Sequence, residues 1–525
     1  MNQLLDLIYQ IEKRKEKSKE GPFLEVSEVT KKVAEVYEWI RNVIEIREEH
    51  LLKRAAIERI IKRQIFVEGK KKVDAREVLL ELIRGGYLKN SSIPESEVAK
   101  FQKKVENLLP LIDDLEVESS PKIFNFFAEV LSFEFEKAID EEFFRKERLL
   151  ANLCFLKLKP LIKSYPKDVS EKENNLLLYL SILKIIFKSD EAILKNYLFF
   201  SYLDDLKEKN KDIVEEIKIN RMNLIEQIER YLSSSYFLKY QAFVKKYKIC
   251  FWLYFDALEE LAILSESKEQ FYQKIKDQEK VLKTIERVYF RKINEASKKM
   301  KRVILRSIIF LIFTKTILAL ILEYPYEKYL EKNINYFPLI TNIVFHPFCL
   351  LLFGITSFKI KNQLEVIKEA VKEIFFETRP KKIVLPLKIS RPSGIGAFTL
   401  RTLWVISFIF VWYLIIKGLI ALKFNLVSIV LFVIFLSLVF YLGWRARNLK
   451  RELILKEKET FLGALVLFFA LPIIKLGEWI SRKFSKYNIF IYILDFLIES
   501  PFKFVLKFLE KWIFYTKEKK EEIEI

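Results

Sequence analysis

The chain has 525 residues, 51% hydrophobic and 30% charged, with a formal charge of +20. The apolar fraction excludes intrinsic disorder, and 11 Gly with 14 Pro exclude collagen and low-complexity chains. Three Cys and two His, His50 and His346, exclude a disulfide framework and a Cys-rich metal module, and leave little imidazole chemistry.

The first 300 residues alternate on a helical period. After Ser27, apolar Val29, Val33, Val36, Tyr37, Ile40, Val43 and Ile44 mark one face of a helix across 27–66. VDAREVLLELIRGG (73–86) predicts a shorter helix, capped by Asp74 and stopped by Gly85 and Gly86. Polar breaks fall at 89–98 and 113–122. Segments 123–163 and 174–203 are again helical, and strand alternation is nearly absent. The expected fold class is all-α, with cytosolic regions 1–164 and 165–302 meeting at a soft boundary near 165–173. MNQLLDLIYQ runs at once into EKRKEKSKE, so no secretion signal is expected.

The composition changes at 303. Stretches 303–322, 336–358, 402–422 and 425–443 are each long enough to cross a bilayer core of about 30 Å. Paired, they give transmembrane hairpins 303–358 and 402–443, separated by a basic connector, 359–401. That connector holds ten Lys and Arg against four Glu, whereas 323–335 carries Glu323, Glu327 and Glu331. Basic residues also precede the first span and follow the fourth, at Arg445, Arg447, Lys450 and Arg451. The positive-inside rule then places both termini inside, with these four basic side chains on the anionic inner leaflet. In the tail, 444–525, Pro472 interrupts 461–474. Segments 461–474, 488–500 and 501–515 are expected as amphipathic helices on the inner interface.

Enzyme motifs are missing: EGKKK (68–72) lacks the phosphate-loop spacing, and Gly394 and Gly396 read as turn glycines. No catalytic residue, metal or cofactor is expected. Charges inside spans are expensive, which singles out Lys315, Asn342, His346 and Lys417 as an intramembrane polar site. Lys315 lies roughly 10 Å below the outer surface, and Asn342 and His346 share a helix face. No Asp or Glu falls within the four expected spans, which favours an anion there. A basic stretch, Arg54, Arg59, Lys62, Arg63, Lys70, Lys71 and Lys72, is a candidate patch for anionic lipid or nucleic acid. It lacks interleaved aromatics, so nucleic acid is disfavoured as a partner.

LLKRAAIERIIKR (51–63), LLLYLSILKIIFKSDEAILKNYLFF (176–200), FTKTILALILEYPYE (313–327) and the stretch from LPIIKLGEWI (471–480) to 503 carry a resemblance. The chain resembles a family of integral membrane proteins of ultrasmall candidate-phyla bacteria, one without an assigned function. The resemblance implies a bacterial inner-membrane location and carries no activity. The expected function is a membrane-anchored scaffold or interaction protein of the cell envelope, with residues 1–300 binding a protein partner. The alternative is an oligomeric channel or transporter for an anion or lipid headgroup. The third is a membrane tether for nucleic acid.

Overall fold

The computed structural model describes 2–13, 22–28, 52–66, 73–111, 121–162, 169–208, 213–331, 336–356, 363–377, 395–451 and 461–486, with isolated positions elsewhere. Among the described residues the fold is all-helical and has no strand. The chain divides into two compact units, one within Met1–Lys245 and the other Lys246–Tyr487.

The first unit contains α1 (Asn2–Lys13), α2 (Leu52–Phe66), α3 (Ala75–Arg84), α4 (Val98–Glu106), α5 (Pro121–Ile139), α6 (Glu141–Leu158), α7 (Glu171–Ile185), α8 (Glu191–Glu208), α9 (Ile213–Ser233) and α10 (Ser235–Lys245). Its punctuation is chemical. The Asp74 side chain accepts from the amides of Arg76 and Glu77 and starts α3. Gly86, at φ +75°, ends that helix in a conformation that costs other residues a Cβ clash. Ser170 and Glu173 form a reciprocal capping box at α7. The helical stretch 123–163 breaks at Asp140 into α5 and α6. The stretch 174–203 breaks between Ile185 and Glu191, where Lys188 has φ 55° and Asp190 accepts from the amide of Ile193.

Helix α5 packs against α2, α4 and α8. It buries Phe124, Phe126, Phe127, Phe133 and Phe135, and Phe127 meets Phe199 edge-on at 5.6 Å. It also carries the half-buried Glu129 and the buried Glu134 and Glu136. Lys195 reaches Glu129 at 2.6 Å, Asn196 donates to Glu134 at 3.2 Å, and Arg54 stands 3.6 Å from Glu136. Buried charge is tolerable only when paired in this way.

The second unit contains α11 (Lys248–Ile263), α12 (Lys268–Lys276), α13 (Gln278–Leu318), α14 (Tyr336–Thr356), α15 (Leu364–Phe375), α16 (Ile395–Ala421), α17 (Leu426–Arg451) and α18 (Phe461–Lys486). Asp277 caps α13. Around the start of α13, Tyr254 stacks on Phe375 at 3.7 Å, and Lys368 of α15 binds Glu286 at 2.8 Å. The helix then runs on without a break across 302–303, where the composition changes. Beyond Leu318 it continues through π-helical turns Ala319–Glu323 and Glu327–Glu331, with Tyr324–Tyr326 between them. Pro325 lies in this stretch and removes one backbone donor, which suits a locally widened ladder. Residues 323–331, expected as an outer loop, are therefore helix.

Among the described residues three helices, not four, are long and apolar enough to cross a membrane: Gln278–Tyr329, Arg401–Ala421 and Leu426–Arg447. The stretch expected as the second span contains a shorter apolar helix, Tyr336–Leu352. Helices α16 and α17 are joined tightly, with Lys423 at φ 61° and the amide of Phe424 donating to the carbonyl of Leu419 at 3.0 Å. Pro472 does not interrupt its segment. Helix α18 runs through it and packs along α17, where a Cβ on Gly477 would lie 2.0 Å from the carbonyl oxygen of Ser437. Most of 487–525, including the expected interfacial helices 488–500 and 501–515, lies outside the described residues.

Candidate functional site

Several polar groups of the membrane-type helices meet at one place. Lys315 on α13 is 1% exposed, and Asn342 and His346 on α14 are 0% exposed. The Lys315 ammonium donates to Asn342 Oδ1 at 2.6 Å and sits 4.2 Å from the ring centre of Phe435. Asn342 Nδ2 donates in turn to Glu323 Oε1 at 2.6 Å. Glu323 Oε2 accepts from the Ser428 hydroxyl on α17 at 3.1 Å. One amide thus bridges a cation and a carboxylate, and its orientation is fixed because Oδ1 meets a donor while Nδ2 meets only acceptors, Glu323 and the carbonyl of Ser428 at 3.4 Å. Glu327, also buried, accepts from Asn425 at 3.0 Å. The same Asn425 caps α17 by accepting from the amide of Ser428 at 2.8 Å.

His346 completes the cluster one turn from Asn342. Its Nδ1 lies 2.9 Å from the carbonyl oxygen of Asn342, and its Nε2 lies 3.1 Å from that of Phe432. A neutral ring donates to one of these two carbonyls, and its tautomer selects which. The Phe432 ring packs edge-on against it at 4.7 Å.

Sequence reasoning finds Lys315, Asn342 and His346, and the structure brings all three together. It misses Glu323, Glu327, Asn425 and Ser428. The signal for the two glutamates is a four-residue repeat, with Lys315, Ala319, Glu323 and Glu327 all buried. In a pure α-helix each four-residue step drifts by about 40°. The wider π turns counter that drift and keep the repeat on one face. Glu323 and Glu327 lie just beyond the expected first span of 303–322 but within the helix Gln278–Tyr329, so that helix carries acids as well as Lys315, and Glu323 binds the same amide as Lys315. Lys417 does not join the cluster. It is exposed, with its ammonium 5.4 Å from the ring centre of Tyr413.

The basic stretch on α2 is also corrected. Arg54 is 3% exposed and bound to Asp190, and Arg63 is bound to Glu81 on α3. Lys62 pairs with Glu58 at 2.6 Å, and Arg59 is half-buried. These side chains are spent inside the unit and do not form an open basic face; Lys70, Lys71 and Lys72 lie outside the described residues. Arg445 and Arg447 are exposed on α17. Lys450 and Arg451 are on the same helix, and their side chains lie outside the described residues.

No family model, curated protein or solved structure matches the chain.

Proposed function

We propose that this is a membrane-anchored interaction protein, in which the buried polar cluster is a clamp that fixes the membrane bundle. One observation carries this reading. The cluster groups are closed off from the surface and answered by one another, so the spans need no solute to satisfy their charges. A single helix then connects the clamp to the helices around Glu286 and Lys368. Such a rod mounts a soluble surface on a fixed base. The proposed location is a bacterial inner membrane, with Arg445 and Arg447 against anionic lipid and a protein as partner. The test isolates the full chain from native membranes in lipid nanodiscs. A stoichiometric protein retained through high salt and nuclease supports the proposal; recovery of the chain alone overturns it.

A second reading is favoured by the presence of Glu323 beside Lys315. Opposite charges inside a span also suit a pathway for protons or small cations. The variant Lys315→Met/Glu323→Gln separates the two. An anchor keeps its partner in this variant, whereas a pathway loses its flux in liposomes.

A further inference from the structure

The cations of α13 are answered in two different ways along its length. Near its start they meet carboxylates: Lys280 pairs with Asp277 at 2.9 Å, Arg287 and Arg291 with Glu260 at 3.4 and 2.8 Å, and Lys292 with Asp256 at 2.6 Å. After Glu295 the acids stop. The sequence holds none in 296–322 and none in 398–451. Lys299, Arg302 and Arg306 of α13, Arg401 of α16, and Arg445 and Arg447 of α17 are all exposed. None of these six forms an ion pair among the described residues. Glu478 of α18, which packs along α17, is taken by Lys475 at 2.8 Å. The six cations are also level. Met300 of α13 and Ala446 of α17 belong to one packed cluster, which sets Lys299 and Arg302 at the height of Arg445 and Arg447. Arg401 and Arg447 lie equally far, roughly 33 Å along their helices, from the tight turn at Lys423. On one side of this ring the exposed surface turns apolar at once, with Val303, Leu305 and Ile309 on α13 and Trp404, Val405 and Ile409 on α16.

On the reading of the chain as a membrane anchor, we propose that this ring of cations binds the phosphates of anionic phospholipids and sets the depth of the second unit in the bilayer. A layer of cations without acidic partners, edged by exposed apolar side chains, is complementary to a molecule with an anionic head and apolar chains. A nucleic acid would answer the charges and leave Ile309 and Val405 in water. Arg306 is one turn deeper than Arg302, and its side chain is long enough to reach back to the phosphates. The ring also fixes the height of the polar bridge. Counted from Met300, Lys315 lies about 22 Å along α13 and Glu323 about 34 Å. Lys315 is then in the leaflet opposite the ring, and Glu323 is beyond a core of about 30 Å. The paired half of α13, with Arg287, Arg291 and Lys292, stands outside the core on the ring's side, where its partners Glu260 and Asp256 are protein groups.

The experiment places the full chain in phosphatidylcholine vesicles that carry a trace of spin-labelled phosphatidylglycerol or spin-labelled phosphatidylcholine. Electron spin resonance reads the fraction of each label held against the protein. The chain should hold phosphatidylglycerol over phosphatidylcholine by about fivefold at low salt. The preference should shrink at about 1 M salt, where charges are screened within about 3 Å. Lys299→Gln/Arg302→Gln/Arg445→Gln/Arg447→Gln should lower it below about twofold. Lys292→Gln, which removes a cation already paired with Asp256, should leave it unchanged. Equal retention of the two labels by the wild type overturns the proposal, as does an unaltered preference in the fourfold variant. Loss of the preference on adding polyuridylate would give the ring to nucleic acid and overturn it too. If the fourfold variant does not insert, the wild-type ratio and its salt dependence decide. Failure of the membrane-anchor reading is separable, because the chain would then wash off vesicles of either lipid in alkaline carbonate.

Discussion

Lys315 shows how a single residue announces itself and still conceals its partners. A lysine inside an apolar run is legible because its burial is costly, and Asn342 and His346 follow from their helical spacing. Glu323 is not legible in the same way. It stands where the apolar run ends, beside Pro325 and other acids, and so resembles a loop. Ser428 is silent because a hydroxyl in a span is common and cheap. The closed bridge makes a specific energetic prediction. Lys315→Met leaves Asn342 Oδ1 and the Glu323 carboxylate without their cation, and should cost about 3–5 kcal/mol. Lys315→Met/Glu323→Gln should recover most of that loss, since no isolated charge remains. Thermal unfolding of the variants in one lipid system gives the coupling, and additive losses would show that the bridge is not a unit.

Among the elements, caps were readable and interruptions were not. Asp74 with Gly85 and Gly86 bounds α3 close to where the sequence sets it, because a capping side chain and a positive φ are local chemistry. Pro472 misleads because a helix packed on a neighbour tolerates a missing donor. The basic run on α2 misleads because its acidic partners, Glu81, Glu136 and Asp190, are distant in sequence or lie on other helices. The approach of α17 and α18 offers a paired test. Gly477→Ala forces a methyl against the backbone of Ser437 and should destabilise by about 1–3 kcal/mol. Gly418→Ala on α16 meets nothing within 4 Å, and should be neutral or stabilising by up to about 1 kcal/mol. Melting of both variants beside the wild type checks the contrast; equal effects would deny the close approach.

At the level of the whole molecule, the all-helical class and the membrane character come directly from periodicity and apolar length. The place of division does not. Composition changes at 303, yet the compact units part after Lys245. The reason is α13, which begins in charged sequence and enters apolar sequence without interruption, so the compositional step falls inside one helix. Gln278–Tyr329 has 52 residues and extends for roughly 78 Å, far more than a bilayer core requires. Carboxylates of the first unit already answer Lys53, Arg54, Lys62 and Arg63. Its binding to anionic vesicles through α2 should therefore be weak even at low salt. Tight, salt-sensitive binding abolished by Lys62→Glu would contradict that expectation.

The bridge between Lys315, Asn342 and Glu323 also bears on how the chain is made. Synthesis delivers Lys315 before Asn342, which follows 27 positions later, and Glu323 before Ser428, which follows 105 positions later. During that interval the nascent first span holds charges that each disfavour partitioning by about 2.5–3.5 kcal/mol at a helix centre. It must hesitate at the translocon, or sit shallowly, until later helices arrive to receive it. A chain truncated after Leu422 should show a smaller protease-protected fraction of 303–322 than the full chain. Equal protection would mean that the first span enters lipid without help from its successors.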